Sequence, residues 1–324
     1  GEVKMSKFKK FLKENKVTKN LYKVVSKIYN SKYKFMNDEK YAKNIYYKKI
    51  AKPLNLENPQ TYDEKLWWLK INYHNPLMTM CVDKYWVREY VKICGYEEIL
   101  NEIYGVYDDV EKIDFSKIEE EKVFFKCNHR SGANMIYDKN KPFDINRFKK
   151  DFRKYLNSNY YNLYREWPYK NVRPLIICEK VLTTSEKSGL VDYRMLCFDG
   201  KLKYVLLDVD VCAEDGTHAE NSKINVYDRD LNLLKNYKFN IPNFESQRIK
   251  KPKNYDKMVE IAEKLSKPFP HARVDLYNIS DKIIFGEITF FHRGGFNPNI
   301  SPKAFDKELA DSINIEKIKE NLNK

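Results

Sequence analysis

What most restricts the fold of this chain is a set of segments after Gly105. Residues 123–127, 175–182, 193–198, 202–209, 272–277 and 282–290 are rich in β-branched and aromatic side chains and read as strands. Asp199-Gly200 marks a tight hairpin between two of them. Helical spacing returns at 144–156 and 255–266. Before Gly105 the pattern is helical, at 38–50, 62–71 and 83–94, the last stopping at Gly95. The expectation is an α+β protein, a helical N-terminal region leading into a mixed body.

Composition narrows the partners. No run of about 18 apolar residues occurs, so no membrane-spanning helix is expected. The beginning of the sequence also lacks the apolar stretch of a secretory signal, which favours a cytoplasmic location. The cysteines show no CxxC pair and mostly sit among apolar residues, as reduced buried thiols do. Of the net charge of +14, residues 1–52 carry +12, from 16 Lys against Glu2, Glu14, Asp38 and Glu39. The remainder is nearly neutral, and Lys outnumbers Arg by 49 to 11, so no nucleic-acid partner is expected. In residues 6–29, Phe8, Phe11, Leu12, Leu21, Val24, Val25 and Ile28 recur at helical steps with lysines on the other face. This basic amphipathic helix suits peripheral attachment, through residues 6–30, to an anionic membrane or polymer. Docking on its own domain is the alternative.

Chemistry concentrates near the end of the chain. Ala272, Val274 and Leu276 alternate with Arg273, Asp275 and Tyr277, and Ile284, Gly286, Ile288 and Phe290 alternate with Phe285, Glu287 and Thr289. A turn near residues 279–281 would pair the segments antiparallel, with Asp275 close to Glu287 on one face. Adjacent carboxylates repel unless a cation joins them, and hard oxygen donors suit Mg²⁺ when phosphate completes the shell. Arg273 on the same face could steady developing negative charge. A solvated polar face is the competing reading.

Two further stretches are weaker signals. Strand 123–126 ends in Lys126 and opens into Cys127-Asn128-His129-Arg130-Ser131-Gly132-Ala133-Asn134, a small-residue loop able to wrap phosphates or to be an ordinary hairpin turn. Glu179-Lys180-Val181-Leu182 leaves a strand as a hinge that could face an adenine edge, or as a plain strand end.

Taken in order, these pieces resemble the ATP-grasp superfamily over about residues 83–295. Its TupA-like branch, named for teichuronopeptide biosynthesis, is closer still, through Asn58-Pro59-Gln60-Thr61-Tyr62-Asp63-Glu64-Lys65-Leu66, Asp83-Lys84-Tyr85-Trp86-Val87-Arg88-Glu89-Tyr90-Val91, Glu166-Trp167-Pro168-Tyr169-Lys170-Asn171 and Phe285-Gly286-Glu287-Ile288-Thr289-Phe290. The resemblance implies two α+β subdomains clasping ATP. Residues 1–52 form a basic helical region, 53–105 a helical lead-in and 106–324 the ATP-grasp body. It implies ATP contacts from Lys84 (in a dipeptide, Asp83-Lys84, opening a helix), Lys126, Ser131, Gly132, Glu179, Lys180 and Leu182, with Asp192 on the ribose. Asp275 and Glu287 would hold Mg²⁺, and Arg273 would act with Lys126 in catalysis. Where many relatives place Asn two residues after the bridging Glu, this chain has Thr289, a weaker third ligand that a water or Asn297 would supplement.

The activity so implied is ADP-forming carboxylate–amine ligation. A sugar acid of a capsular or cell-wall glycan, activated as an acyl phosphate, would be joined to an amine such as an amino acid. The cytoplasm, or the inner face of the cell membrane, is the implied place. Glu166, Tyr169, Lys170, Arg194 and Arg293, with the rest of the His292-Arg293-Gly294-Gly295 loop, are the candidate acceptor contacts, although residues 166–171 also read as a capped turn. A kinase acting on a sugar hydroxyl keeps the same metal site, and a non-catalytic glycan- or membrane-binding protein is the third reading.

Overall fold

The computed structural model describes residues 36–185, 189–209, 215–216, 222–245 and 249–322. The helix expected at residues 6–29 and Cys212 lie outside them. The chain divides into two compact units, Gly1–Leu54 and Asn55–Lys324. In the first, helix α1 (Asp38–Ile50) starts at Asn37, whose side chain accepts from the backbone of Glu39 and Lys40, and stops at Ala51 in the left-handed region.

The second unit opens with helix α2 (Tyr62–Asn72). Thr61 and Glu64 satisfy each other's backbone N–H groups in a capping box, so the Thr-x-x-Glu of the sequence fixes this helix start. Tyr62, Leu66, Trp67, Trp68 and Leu69 are all buried, so α2 runs through the interior. The helix expected over 83–94 starts only at Val87, as α4 (Val87–Ile93), and is preceded by a helix that was not expected, α3 (Pro76–Val82). Asp83 is the cause: its carboxylate accepts from the backbone N–H groups of Tyr85 and Trp86, which turns the chain before α4 begins. Lys84 therefore sits in a turn and does not open a helix.

Among the described residues, the strands form two antiparallel sheets. The first has the order β1-β4-β2-β3, from β1 (Ile103–Tyr107), β2 (Lys122–Cys127), β3 (Asn134–Asp138) and β4 (Ile176–Lys180). Helix α5 (Ile145–Leu156) packs on it through Phe148 and Phe152, which join Phe115, Phe125, Phe143 and Tyr137 in one aromatic core. The second sheet has the order β7-β6-β5-β8-β9, from β5 (Asp192–Phe198), β6 (Lys201–Val209), β7 (Lys223–Asp228), β8 (His271–Ile279) and β9 (Lys282–Thr289). Helix α6 (Tyr255–Ser266) covers one face, against β5, β6 and β8. Asp199-Gly200 and Ser280-Asp281 make the two tight turns, all four residues having positive φ, as such hairpins require.

The alternation expected in β9 is broken. A bulge between Asp275 and Leu276 sets Leu276 opposite Phe285, leaving Gly286 as the extra residue. Phe285 thereby turns into the core, whereas strict alternation would place it beside Glu287. A side chain at Gly286 would stand 2.9 Å from the Asp275 carbonyl oxygen, so the bulge needs glycine. Strands β1, β3 and β7 and the C-terminal helices α7 (Lys303–Asp311) and α8 (Ile315–Leu322) extend beyond the sequence expectation.

Candidate active site

The polar face of the β8–β9 hairpin is buried on β8 and partly open on β9, where Glu287 keeps 37% of its side chain exposed. Arg273 is 7% exposed and Asp275 3%, so the solvated-face reading fails for β8. Antiparallel register sets Asp275 opposite Glu287 and Arg273 opposite Thr289. The Arg273 guanidinium grips Asp275 with two bonds, Nε to Oδ1 at 2.7 Å and Nη2 to Oδ2 at 2.6 Å. Its Nη2 also reaches Glu287 Oε1 and Thr289 Oγ1, each at 3.1 Å. Thr289 in turn donates to Glu287 Oε1 at 2.9 Å. Burial pushes Asp275 up to about 7 against the pull of Arg273. Burial also opposes the charge of Glu287, but Lys84 and Arg273 outweigh it and hold its carboxyl down at about 2.

His292 lies on the loop after β9, among the residues expected to meet the acceptor, but its ring turns to Arg273. Its Nδ1 lies 3.0 Å from Arg273 Nη1. A guanidinium can only donate, so Nδ1 accepts and a neutral ring carries its hydrogen on Nε2. Burial keeps the ring neutral, pushing its pKa well below the usual histidine value.

One strand further in, Arg194 stands opposite Asp275. It donates to Asp192 Oδ2 at 2.8 Å and pairs with Asp208 at 2.6 Å. Arg194 is thus committed to two buried carboxylates, which takes it out of the acceptor contacts expected of it. The other oxygen of Asp192, Oδ1, is buried with no hydrogen-bond partner among the described residues, as an acceptor awaiting a hydroxyl would be. Asp208 could have been suspected from sequence, being the single acid in the apolar run of β6.

The first sheet meets this cluster at Lys84. Its Nζ donates to the Arg130 carbonyl at 3.1 Å and lies 3.7 Å from Glu287 Oε2, tying the β2–β3 loop to β9. Lys126 on β2 pairs with Glu179 on β4 at 2.6 Å, both side chains largely buried. Ser131 and Gly132 are exposed at the tip of the β2–β3 loop. The backbone of Lys180 is engaged at both ends, donating to Glu102 O and accepting from Asn101 Nδ2. Any pairing of this hinge with an adenine edge would fall to Val181 and Leu182, just past the strand.

The remaining candidates divide. Arg293 donates to the Phe239 carbonyl, and Lys170 is exposed above the Tyr161 ring. Asn297 is held by Asp63, to which its backbone and side-chain N–H groups donate, and it also donates to the His292 carbonyl. Its Oδ1 stays buried with no hydrogen-bond partner among the described residues. Glu166 and Tyr169 are drawn to the cluster: burial and Glu287 push the Glu166 carboxyl up, while Lys70, Lys84 and Arg273 pull against them.

Among the described residues no three acidic, histidine or cysteine side chains gather as a metal cage. Asp275 and Glu287 nonetheless fit Mg²⁺, an ion commonly held by one or two carboxylates while phosphate oxygens complete its shell. The orphaned Asp192 Oδ1 and the lysines Lys84 and Lys126 fit a nucleotide in the same way.

The sequence profile of the TupA-like ATP-grasp family matches residues 64–314, most of the chain. No match was found among curated proteins. Among solved structures, an L-amino acid ligase from Bacillus licheniformis is 13% identical, with a TM-score of 0.44, over 81% of this chain and 57% of its own. A D-alanine–D-alanine ligase from Bacillus anthracis is 15% identical, with a TM-score of 0.37, over 72% and 66%. The ATP-grasp ligase PsnB with its minimal precursor is 11% identical, with a TM-score of 0.38, over 78% and 67%. The chain thus spans about two thirds or less of these structures.

Proposed function

The chain belongs to the TupA-like ATP-grasp family, and from that membership we propose a Mg²⁺-dependent, ADP-forming ligase. It activates a carboxylate as an acyl phosphate and joins it to an amine. A sugar acid of a cell-surface polysaccharide is the proposed carboxylate, and an amino acid the proposed type of amine. The reading rests chiefly on one observation: Asp275 and Glu287 stand opposite each other on one face, with Arg273 between them and Lys84 alongside.

Bound Mg·ATP would supply the phosphoryl group and neutralise the charge that builds up during its transfer. Asp275 and Glu287 would hold the metal, Lys84 and Lys126 the phosphates, and Asp192 Oδ1 a ribose hydroxyl. Arg273, steadied by His292, would direct N–H groups toward the substrate oxygens, where negative charge develops. Burial of Arg273 and Asp275 strengthens the contacts that those two groups make.

No helix among the described residues is long and apolar enough to cross a membrane. The proposed place of work is the cytoplasm or the inner membrane face, with the lysine-rich residues 6–30 on an anionic surface. The test is an acceptor screen that reads ADP and free phosphate separately. Ligation releases both in equal amounts. ADP with a phosphorylated sugar and no free phosphate would replace the proposal with a kinase.

A further inference from the structure

Glu166 is 7% exposed, and its carboxylate makes no hydrogen bond or ion pair with the described residues, leaving its oxygens only the little solvent that reaches them. A buried carboxylate without a partner is costly, so its retention calls for an explanation. The cations that act on it are committed elsewhere. Lys70 donates to the carbonyls of Tyr164 and Gly294, at 3.0 and 2.6 Å. Lys84 is bound to the Arg130 carbonyl, and Arg273 to Asp275 and Glu287.

Aromatic rings surround the same carboxylate. Tyr160 lies 5.2 Å from Tyr164 and 5.0 Å from Tyr169, ring centre to ring centre. The charge of Glu166 adds to burial in pushing the phenols of Tyr160 and Tyr169 up. Gly294 has no side chain there; a Cβ on it would stand 3.6 Å from Glu166 Oε1 and 3.8 Å from the Tyr164 ring. A lone carboxylate beside electron-rich rings is the donor set that recognises an ammonium group.

We infer that Glu166, with Tyr160, Tyr164 and Tyr169, forms the subsite that binds the amine substrate as its ammonium ion. This rests on the ligase reading above and gives the acceptor a charge. A neutral hydroxyl acceptor would leave Glu166 without its counter-ion, so the subsite selects amines over alcohols. Burial pushes the unpaired carboxyl up to about 7, a cost that a bound cation relieves.

The experiment uses ligand-observed saturation-transfer NMR on the full chain. Glycine, L-alanine, L-lysine and ethanolamine are compared with glycolate, L-lactate and ethylene glycol, in the presence of Mg²⁺ and a non-hydrolysable ATP analogue. The expected result is binding of at least one amine and none of the hydroxyl compounds. Glu166→Gln should weaken that amine roughly tenfold or more, the loss of one charge-assisted contact, and leave the nucleotide affinity unchanged. Tyr160→Leu should weaken it roughly twofold to tenfold. Equal amine affinity in wild type and Glu166→Gln, preference for the hydroxyl compounds, or no amine binding to wild type would each overturn the inference. Failure of the nucleotide analogue to bind wild type would instead overturn the ATP reading, and the amine arm would still decide the subsite.

Discussion

Gly286→Ala tests how the bulge sets the distance between the two acidic strands. The added methyl would stand 2.9 Å from the Asp275 carbonyl oxygen and 3.2 Å from Tyr277 Cε2. Tyr277 can swing aside, but the carbonyl belongs to the strand paired with β9 and cannot yield alone. Overpacking of this kind costs about 1–3 kcal/mol. For a unit of this size each kcal/mol lowers Tm by roughly 2 °C, so differential scanning fluorimetry should show a fall of about 2–6 °C. The same displacement separates Asp275 from Glu287, so the gain in Tm with Mg²⁺ and an ATP analogue should shrink as well. Gly95→Ala is the control: nothing lies within 4 Å of its added methyl, and only its φ of +90° resists, a cost of about 1 kcal/mol. Unchanged Tm and an undiminished nucleotide shift in Gly286→Ala would refute the reasoning.

Arg194→Leu strands Asp192 and Asp208 in the interior and should lower stability by about 3–5 kcal/mol in urea unfolding, whereas a loss below about 1 would show the pair to be solvated. Lys126→Met frees Glu179 and removes the proposed phosphate contact, so the ATP analogue should bind about tenfold more weakly by calorimetry, and equal affinity would count against that role. Burial pushes Asp63 up to about 6, against the hydrogen bonds from Asn297. Its folded pKa is then above its unfolded one, so this group favours folding below about pH 4 and loses that contribution as pH rises through 6. Between pH 4 and 7 the stability of wild type relative to Asp63→Asn should fall by on the order of 3 kcal/mol, and a flat difference would contradict it.

What sequence could and could not reach follows from the range of each interaction. The Thr61–Glu64 cap, the Asp199-Gly200 turn and the pairing of Asp275 with Glu287 are set by residues close in the chain, and period and turn chemistry expose them. The bulge at Gly286 was hidden because one inserted residue leaves the local composition unchanged while reversing which side chains enter the core. The contacts of Lys84 with Glu287, His292 with Arg273, and Arg194 with Asp208 join separate elements, so no spacing rule announces them. The break at Asp83 is local, but helical periodicity outweighed the side chain's competition for backbone N–H groups.

The most direct test of the account is calorimetric binding of a non-hydrolysable ATP analogue to wild type and Glu287→Gln, each with Mg²⁺ and with chelator. Glu287 is a half-exposed ligand whose amide replacement leaves Arg273 paired with Asp275. The account predicts tight binding only for wild type with Mg²⁺, and a loss of roughly 10–100-fold in Glu287→Gln to the level seen with chelator. Equal, metal-independent affinity in both proteins would contradict it.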